Sequence, residues 1–318
     1  MHYDVFNGDA DGLCALVQLR LAQPMQSTLV TGVKRQIQLL SSLSVETNDS
    51  VTVLDISLKK NRWALDEILA KGASVFYVDH HEVGDMPIHP NLKTLIDTSP
   101  TMCTSLLVDD YLQGQYRAWA ITAAFGDNLN GIAEQKAQAL GLSMLQTELL
   151  KTLGICLNYN AYGSQVSDLH VAPDALYEHL KYYPSPFDFI TDQTAMFEQL
   201  RSGYTEDMQL GLSITPDYKT DKVALIRLPD APWARRINGV LGNELANQYP
   251  HRAHAIVTLN SLGSYQVSVR APLENKTGAD ELCALFKTGG GRKSAAGIND
   301  LAIDQLGPFV KAFEAQYG

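Results

Sequence analysis

The sequence predicts an α/β protein, with a parallel sheet leading into a helical stretch and a smaller α+β part behind it. Three observations carry that reading. Short apolar runs alternate with amphipathic stretches from residue 3 to about 96, the pattern between about 101 and 199 is helical, and it breaks at Ser202-Gly203, after which strand-like runs return.

The runs at 3–6, 27–31, 51–54, 74–78 and 92–96 are short and apolar, as strands covered on both faces must be. Residues 13–22 and 61–71, between them, have helical spacing. This strand–helix–strand rhythm is that of a Rossmann-like parallel sheet. Helices are expected next at 105–112, 117–125, 134–140 and 147–157, as an extension of the same domain. Strands at 210–214, 223–228, 253–259 and 265–270, with a helix at 234–247, complete the second domain. The expected boundaries are a first domain at 1–200, a linker at 201–210 and a second domain at 211–318.

A chain of 318 residues with 45 % hydrophobic content can fill two cores, and no apolar run approaches the roughly 20 residues that a membrane-spanning helix needs. The N-terminus lacks the pattern of a secretory leader, and Cys14, Cys103, Cys156 and Cys283 form no CxxC pair. A cytoplasmic location without structural zinc is expected. The net charge of −10 is uneven: residues 1–200 hold 12 Lys/Arg against 23 Asp/Glu, and the remainder 13 against 12. An acidic part followed by a near-neutral one suits a metal site and an anion-binding surface. It does not suit a basic channel for long nucleic acid.

In open parallel sheets ligands collect beyond the carboxyl ends of the strands. Asn7, Asp9 and Asp11 in Asn7-Gly8-Asp9-Ala10-Asp11-Gly12 follow the first strand, Asp55 the third, and Asp79-His80-His81 the fourth. The Asp-x-Asp pair alone reads equally as a helix cap or a ligand pair. Adjacent histidines flanked by acids are harder to explain as packing. Carboxylates with one imidazole suit Mn²⁺ or Mg²⁺, and a carboxylate on a central strand can bridge two such ions about 3.5–4 Å apart. Far along the chain, Gly289-Gly290-Gly291-Arg292-Lys293 followed by Ser294-Ala295-Ala296-Gly297 joins glycine amides to two cations and small residues able to start a helix, the outline of a phosphate cradle. Lys34-Arg35 and Arg235-Arg236 read more readily as solvated pairs than as phosphate contacts.

Taken together and in order, NGDADG, the strand-end Asp55, Asp79-His80-His81 and GGGRKSAAG resemble the DHH phosphoesterases that carry a C-terminal DHH-associated domain. The resemblance implies a metal-binding catalytic domain at 1–200 and a substrate-binding domain at 211–318. It implies Asp9, Asp11, Asp55, His80 and Asp127 as ligands of two divalent cations, Mn²⁺ preferred over Mg²⁺, with Asp55 as the bridge. Asp79 would orient the site and His81 would sit near the scissile phosphate. Arg270, Gly289, Gly290, Gly291, Arg292 and Lys293 resemble substrate-binding elements. Two positions depart from the pattern: Asn7 stands where the exonuclease branch has a further aspartate, and Arg292 replaces the histidine usual after the three glycines.

The implied activity is hydrolysis of short linear oligonucleotides or dinucleotides, such as the pGpG left by cyclic dinucleotide breakdown, in a cleft between the domains. The branch resembled is that of oligoribonucleases and linear dinucleotide phosphodiesterases. A nucleoside 3′,5′-bisphosphate phosphatase, an exopolyphosphatase or pyrophosphatase, and a non-enzymatic nucleotide sensor are the alternatives. No membrane partner is expected, and the sequence leaves the oligomeric state open, a homodimer included.

Overall fold

The computed structural model describes residues 1–260 and 263–318. The chain divides into two compact units, Met1–Tyr204 and Thr205–Gly318.

The first unit is built on five parallel strands, β1 (His2–Phe6), β2 (Thr28–Val30), β3 (Ser50–Leu54), β4 (Ser74–Asp79) and β5 (Leu92–Ile96), in the order β2-β1-β3-β4-β5. Each strand of the centre divides its side chains between two cores, because successive residues point to opposite faces. Tyr3, Val5, Val51, Val53, Val75 and Tyr77 pack with Leu65 and Ile68 of helix α2 (Leu58–Ala70) on one face. Phe6, Leu54 and Val78 face the other core, where α1 (Ala10–Ala22) contributes Leu13, Leu16 and Val17. Buried on all sides, α1 has no polar face.

That second face is completed by α3 (Thr104–Tyr111), α4 (Arg117–Gly126), α6 (Met144–Asn160), α7 (Pro173–Leu180) and α8 (Pro186–Asp192), while α5 (Asn130–Ala139) packs on α4 in a separate cluster. Helices α4 and α6 touch through glycine: a Cβ on Gly154 would lie 2.0 Å from the Thr122 carbonyl oxygen, and one on Gly126 would lie 2.7 Å from the Gly154 carbonyl oxygen. Helix α9 (Thr194–Ser213) runs through the boundary between the units, so residues 201–210 are helical.

The expectation of a strand at 210–214 is corrected here, since the segment is the end of α9 and the turn after it. Its alternating Leu210, Leu212 and Ile214 mimic a strand, but Leu210 and Leu212 are exposed and the inward positions are Asp207, Met208 and Gly211. Those three follow helical spacing.

The second unit holds a mixed sheet of β6 (Tyr218–Lys219), β7 (Val223–Leu228), β8 (Ala253–Leu259), β9 (Tyr265–Arg270), β10 (Gly289–Arg292) and β11 (Ala295–Leu301). The order is β10-β11-β9-β8-β7-β6, with only β7 and β8 parallel. Helix α10 (Pro232–Gln248) lies against β8 and β9 on one face. Val223, Leu225, Val257, Val267 and Val269 on the other pack with Leu282 of α11 (Ala279–Ala284) and with Phe309 and Phe313 of α12 (Leu306–Tyr317).

The glycine run does not open a helix as the sequence suggested. Gly289–Arg292 is an edge strand, and Lys293-Ser294 turns it back into β11. Close packing explains two of its glycines, because a Cβ on Gly289 would lie 1.7 Å from the Cys283 carbonyl oxygen, and Gly291 has φ +148° with a Cβ position 2.5 Å from the Ala296 Cα.

Candidate functional site

The acidic motifs meet because three strands end at one level and the chain extends each ladder by a residue. Asn7 N donates to Leu54 O (3.2 Å), Asp55 N to Val78 O (3.1 Å) and Asp97 N to Asp79 O (3.4 Å). Asp55 then turns in the left-handed region at φ +59°, a conformation that Asp and Asn adopt more readily than other side chains. The ends of β1, β3 and β4 thereby aim Asp9, Asp55, Asp79, His80 and His81 at one place.

Asp9 is both a cap and a site residue. Its Oδ1 accepts from the amides of Asp11 (3.0 Å) and Gly12 (3.2 Å) at the start of α1, and its Oδ2 accepts from Lys34 Nζ. Asp11 sits at the N-terminus of α3, where Oδ1 takes the Ser105 amide and Oδ2 the Thr104 amide, both at 2.7 Å. A helix N-terminus is a natural seat for a carboxylate. Thr104 also donates its hydroxyl to Asp55 Oδ1 (3.3 Å). Asp127 caps the C-terminus of α4 and is the most exposed of the four carboxylates.

His80 is fixed at one ring nitrogen and open at the other. Its Nδ1 donates to the Met102 carbonyl (3.0 Å), which leaves Nε2 3.4 Å from Asp55 Oδ1, 3.8 Å from Asp127 Oδ2 and 3.9 Å from Asp11 Oδ2. Such anchoring of the far nitrogen is how proteins orient a ligating imidazole. His81 lies beside it, ring centroids 4.6 Å apart, with Nδ1 2.7 Å from Asp79 Oδ1. The Asp79 carboxylate raises the His81 imidazole above its ordinary range, against the effect of burial.

Among the described residues, Asp55, His80 and His81 bring ligand atoms within 4.8 Å of one another, as do Asp11, His80 and Asp127. The electrostatics of this cluster fit a cation. Burial, followed by repulsion from Asp9, Asp11, Asp127 and Asp79, pushes the Asp55 carboxyl well above the usual range, and burial with Asp11 raises Asp127. Burial would raise Asp9 too, but the Lys34 ammonium outweighs it and holds that carboxyl low. Oxygen donors and one imidazole are the set that hard divalent ions take. Asn7 Oδ1 and Asp79 Oδ2, both buried, find no hydrogen-bond partner among the described residues.

Lys34 corrects the reading of residues 34 and 35 as a solvated pair. Its Nζ lies among Asp9, Asn158 and Asp127, and the Arg236 of the other basic pair is buried with Asp207 Oδ2 2.7 Å from its Nε. Thr104, Ser105 and Lys34 are the residues that motif reading passed over. Lys34 lies four positions beyond the end of β2, so the same carboxyl-end rule that selected Asp9 and Asp55 reaches it.

In the second unit, Arg292 pairs with Ala295 and Ala295 with Arg270, so the two arginines share one cross-strand row and one face of the sheet. Arg270 is held firmly, with Nε donating to Asn243 Oδ1 (2.6 Å), Nη1 to Ser268 Oγ (3.0 Å) and Nη2 to Gly239 O (3.1 Å). Arg292 and Lys293 are exposed. A cavity of about 830 Å³ lined by His2, Arg20, Tyr177 and Lys181 lies elsewhere, at the amino end of the sheet, and no comparable convergence of ligand atoms is found there among the described residues.

A sheet whose carboxyl edge gathers carboxylates and paired histidines, followed by a mixed-sheet unit, is the architecture that the DHH resemblance implies, and the resemblance is borne out at the level of the fold. No family model matches the chain, and no curated protein matches it in sequence. Solved structures do. Exonuclease RecJ bound to manganese aligns with TM-score 0.62 at 15 % identity, over 99 % of this chain and 89 % of that one. RecJ from Thermus thermophilus in complex with Mn²⁺ aligns with TM-score 0.65 at 17 % identity, over 99 % and 51 %. The pGpG-specific phosphodiesterase PggH from Vibrio cholerae aligns with TM-score 0.57 at 14 % identity, over 99 % and 100 %. At such identities the shared property is the fold. No helix among the described residues is long and apolar enough to cross a membrane.

Proposed function

We propose that this protein is a divalent-metal-dependent phosphodiesterase that hydrolyses short linear oligonucleotides or dinucleotides, such as pGpG, to mononucleotides. The observation that carries the proposal is His80 Nε2 facing Asp55, Asp11 and Asp127, three carboxylates that strain against one another without a cation. RecJ and PggH share the fold and act, by name, as an exonuclease and a pGpG phosphodiesterase.

Asp9, Asp11, Asp55, His80 and Asp127 would hold two divalent cations, Mn²⁺ preferred and Mg²⁺ accepted, with Asp55 shared between them. Such ions neutralise phosphate oxygens and lower the pKa of water. The chain's own residues do the rest. The Thr104 and Ser105 amides and Met102 carbonyl fix Asp11 and His80, so the ligand set needs little rearrangement. Asp79 holds His81 by Nδ1, which directs Nε2 away from the Asp79 carboxylate and keeps a proton available there for the leaving oxygen. Arg270, the glycine strand and Arg292-Lys293 would bind the part of the substrate that does not react, Arg292 as a bidentate phosphate donor in place of the family's histidine. The location is cytoplasmic, where cyclic dinucleotide breakdown supplies such substrates.

The test is a panel of pGpG, pAp, polyphosphate, pyrophosphate and single-stranded DNA offered to the Mn²⁺-loaded protein. Preferred cleavage of pGpG to two mononucleotides supports the reading. Preferred release of inorganic phosphate from pAp or polyphosphate would replace it.

A further inference from the structure

We infer that Lys34 is a built-in counter-cation of the carboxylate cluster, which holds the Asp9 end of the site until a divalent ion displaces it, so that the two cation positions fill with unequal affinity. This rests on the metal-binding reading above and concerns the order in which that site is loaded.

The geometry separates the two ends. At the His80 end, oxygens of Asp11, Asp55 and Asp127 surround Nε2 of a fixed imidazole at 3.4–3.9 Å, and the Lys34 ammonium reaches this end only at the other Asp127 oxygen, Oδ1, at 3.7 Å. At the Asp9 end the donors are already spent. Asp9 Oδ1 serves two amides, and Oδ2 accepts from Lys34 Nζ. Asp9 belongs to neither of the ligand groups found among the described residues.

Lys34 is placed for this by more than attraction to one carboxylate. Its backbone N donates to the Ala161 carbonyl (3.0 Å), fixing the loop after β2 to the end of α6. Its Nζ donates to Asn158 Oδ1 (2.9 Å) on the last turn of α6, lies 3.7 Å from Asp127 Oδ1, and sits 5.8 Å from the Tyr162 ring centroid. An ammonium has three protons to place. Asp9 and Asn158 take two, and Asp127 lies on the third side. Asn158 is a neutral acceptor that holds an ammonium and adds no charge for a metal, so the pocket is shaped for Lys34 itself.

An ammonium and a divalent ion repel, and both require Asp9 Oδ2. Filling the Asp9 end therefore costs the Lys34 hydrogen bond to Asp9, whereas filling the His80 end leaves that bond in place and draws on Asp127 Oδ2 rather than on the Oδ1 beside Lys34. Lys34 also keeps the metal-free cluster partly balanced, with one fixed positive charge beside five carboxylates.

Calorimetric titration of the metal-free full chain with Mn²⁺ tests this. The wild type should show two classes of site separated at least about tenfold in Kd. Lys34→Met should tighten the weaker class by about tenfold or more and leave the tighter class nearly unchanged, while lowering the melting temperature of the metal-free protein. Asn158→Leu, which loosens the ammonium but keeps its charge, should shift the weaker class in the same direction by less, and it serves where Lys34→Met folds poorly. A Lys34→Met isotherm superimposable on the wild type, or one in which the tighter class moves most, overturns the inference while leaving metal binding intact. Absence of Mn²⁺ binding by the wild type overturns the metal reading itself, and this inference with it.

Discussion

The contact between α4 and α6 ties packing to the candidate site closely enough to fix a magnitude. Gly154→Ala would place a methyl 2.0 Å from the Thr122 carbonyl oxygen, where ordinary contact begins at 3.4 Å, so the helices must part by about 1.4 Å. Backbone cannot swing aside as a flexible side chain does. Overpacking of this kind costs about 2 kcal/mol, which for a unit of this size lowers the melting temperature by roughly 4–8 °C. Helix α4 carries Asp127, 3.8 Å from His80 Nε2, and α6 carries Asn158 four residues beyond Gly154. A displacement of about 1 Å in a catalytic constellation costs about 100-fold in rate. Thermal denaturation and initial hydrolysis rates measure the two effects. Gly131→Ala on α5 is the control, since its added Cβ meets nothing within 4 Å and the exchange should stabilise by about 0.5–1 kcal/mol. A Gly154→Ala protein that melts within about 1 °C of the wild type and turns over normally would refute the claim that this contact positions the site.

Other expectations concern acid stability and substrate. Burial would raise the Asp4 carboxyl, but hydrogen bonds from Arg20 and His2 lower it to about 2 from 3.8. An acid so depressed stabilises above its unfolded pKa and loses that contribution as pH falls through the folded value, so about 2 kcal/mol should disappear between about pH 4 and 2. Urea unfolding across this window should show the loss in the wild type and its absence in Asp4→Asn. Arg292→Ala should raise KM for pGpG more than it lowers kcat, because the residue is proposed to hold the unreacting part; an unchanged KM in Arg292→Glu would remove the glycine strand from the substrate site. Initial rates on 5′-labelled RNA of two to twenty nucleotides should fall steeply with length, since few cations are available to follow a strand, and a flat profile would count against the short-substrate reading.

Much of the fold was legible because most strands are either apolar runs or regular apolar–polar alternations. The strands at β7, β8 and β9 have the bounds expected at 223–228, 253–259 and 265–270. β7 and β8 carry their signal in near-continuous apolar runs, and β9 in the alternation of Tyr265, Val267 and Val269 with polar residues. The end of α9 was not legible, since one of its inward positions is Gly211, packed against Ile237, and glycine contributes nothing to a hydrophobic pattern. The hairpin at Gly289–Arg292 was missed for a related reason: Gly289 is required by the approach of Cys283, a tertiary contact with no local trace. In the candidate site, Asp9, Asp11, Asp55, His80, His81 and Asp127 were selected by motif and are brought together. Lys34 and Thr104 were not: Lys34 lies in the loop after β2 and Thr104 opens α3, and neither residue type marks a metal site until its neighbours in space are known.

The central claim is that a carboxylate-imidazole cluster at the end of β1, β3 and β4 hydrolyses short nucleotides through bound divalent cations. Asp55→Asn tests it most directly. Asn keeps the left-handed backbone and the acceptor for Thr104 but removes the charge. With Mn²⁺ present, initial rates of pGpG conversion to two mononucleotides should fall by at least about 1,000-fold in the variant while its circular dichroism stays that of the wild type. Near-normal turnover by Asp55→Asn, or no turnover by the wild type with either Mn²⁺ or Mg²⁺, would contradict the account.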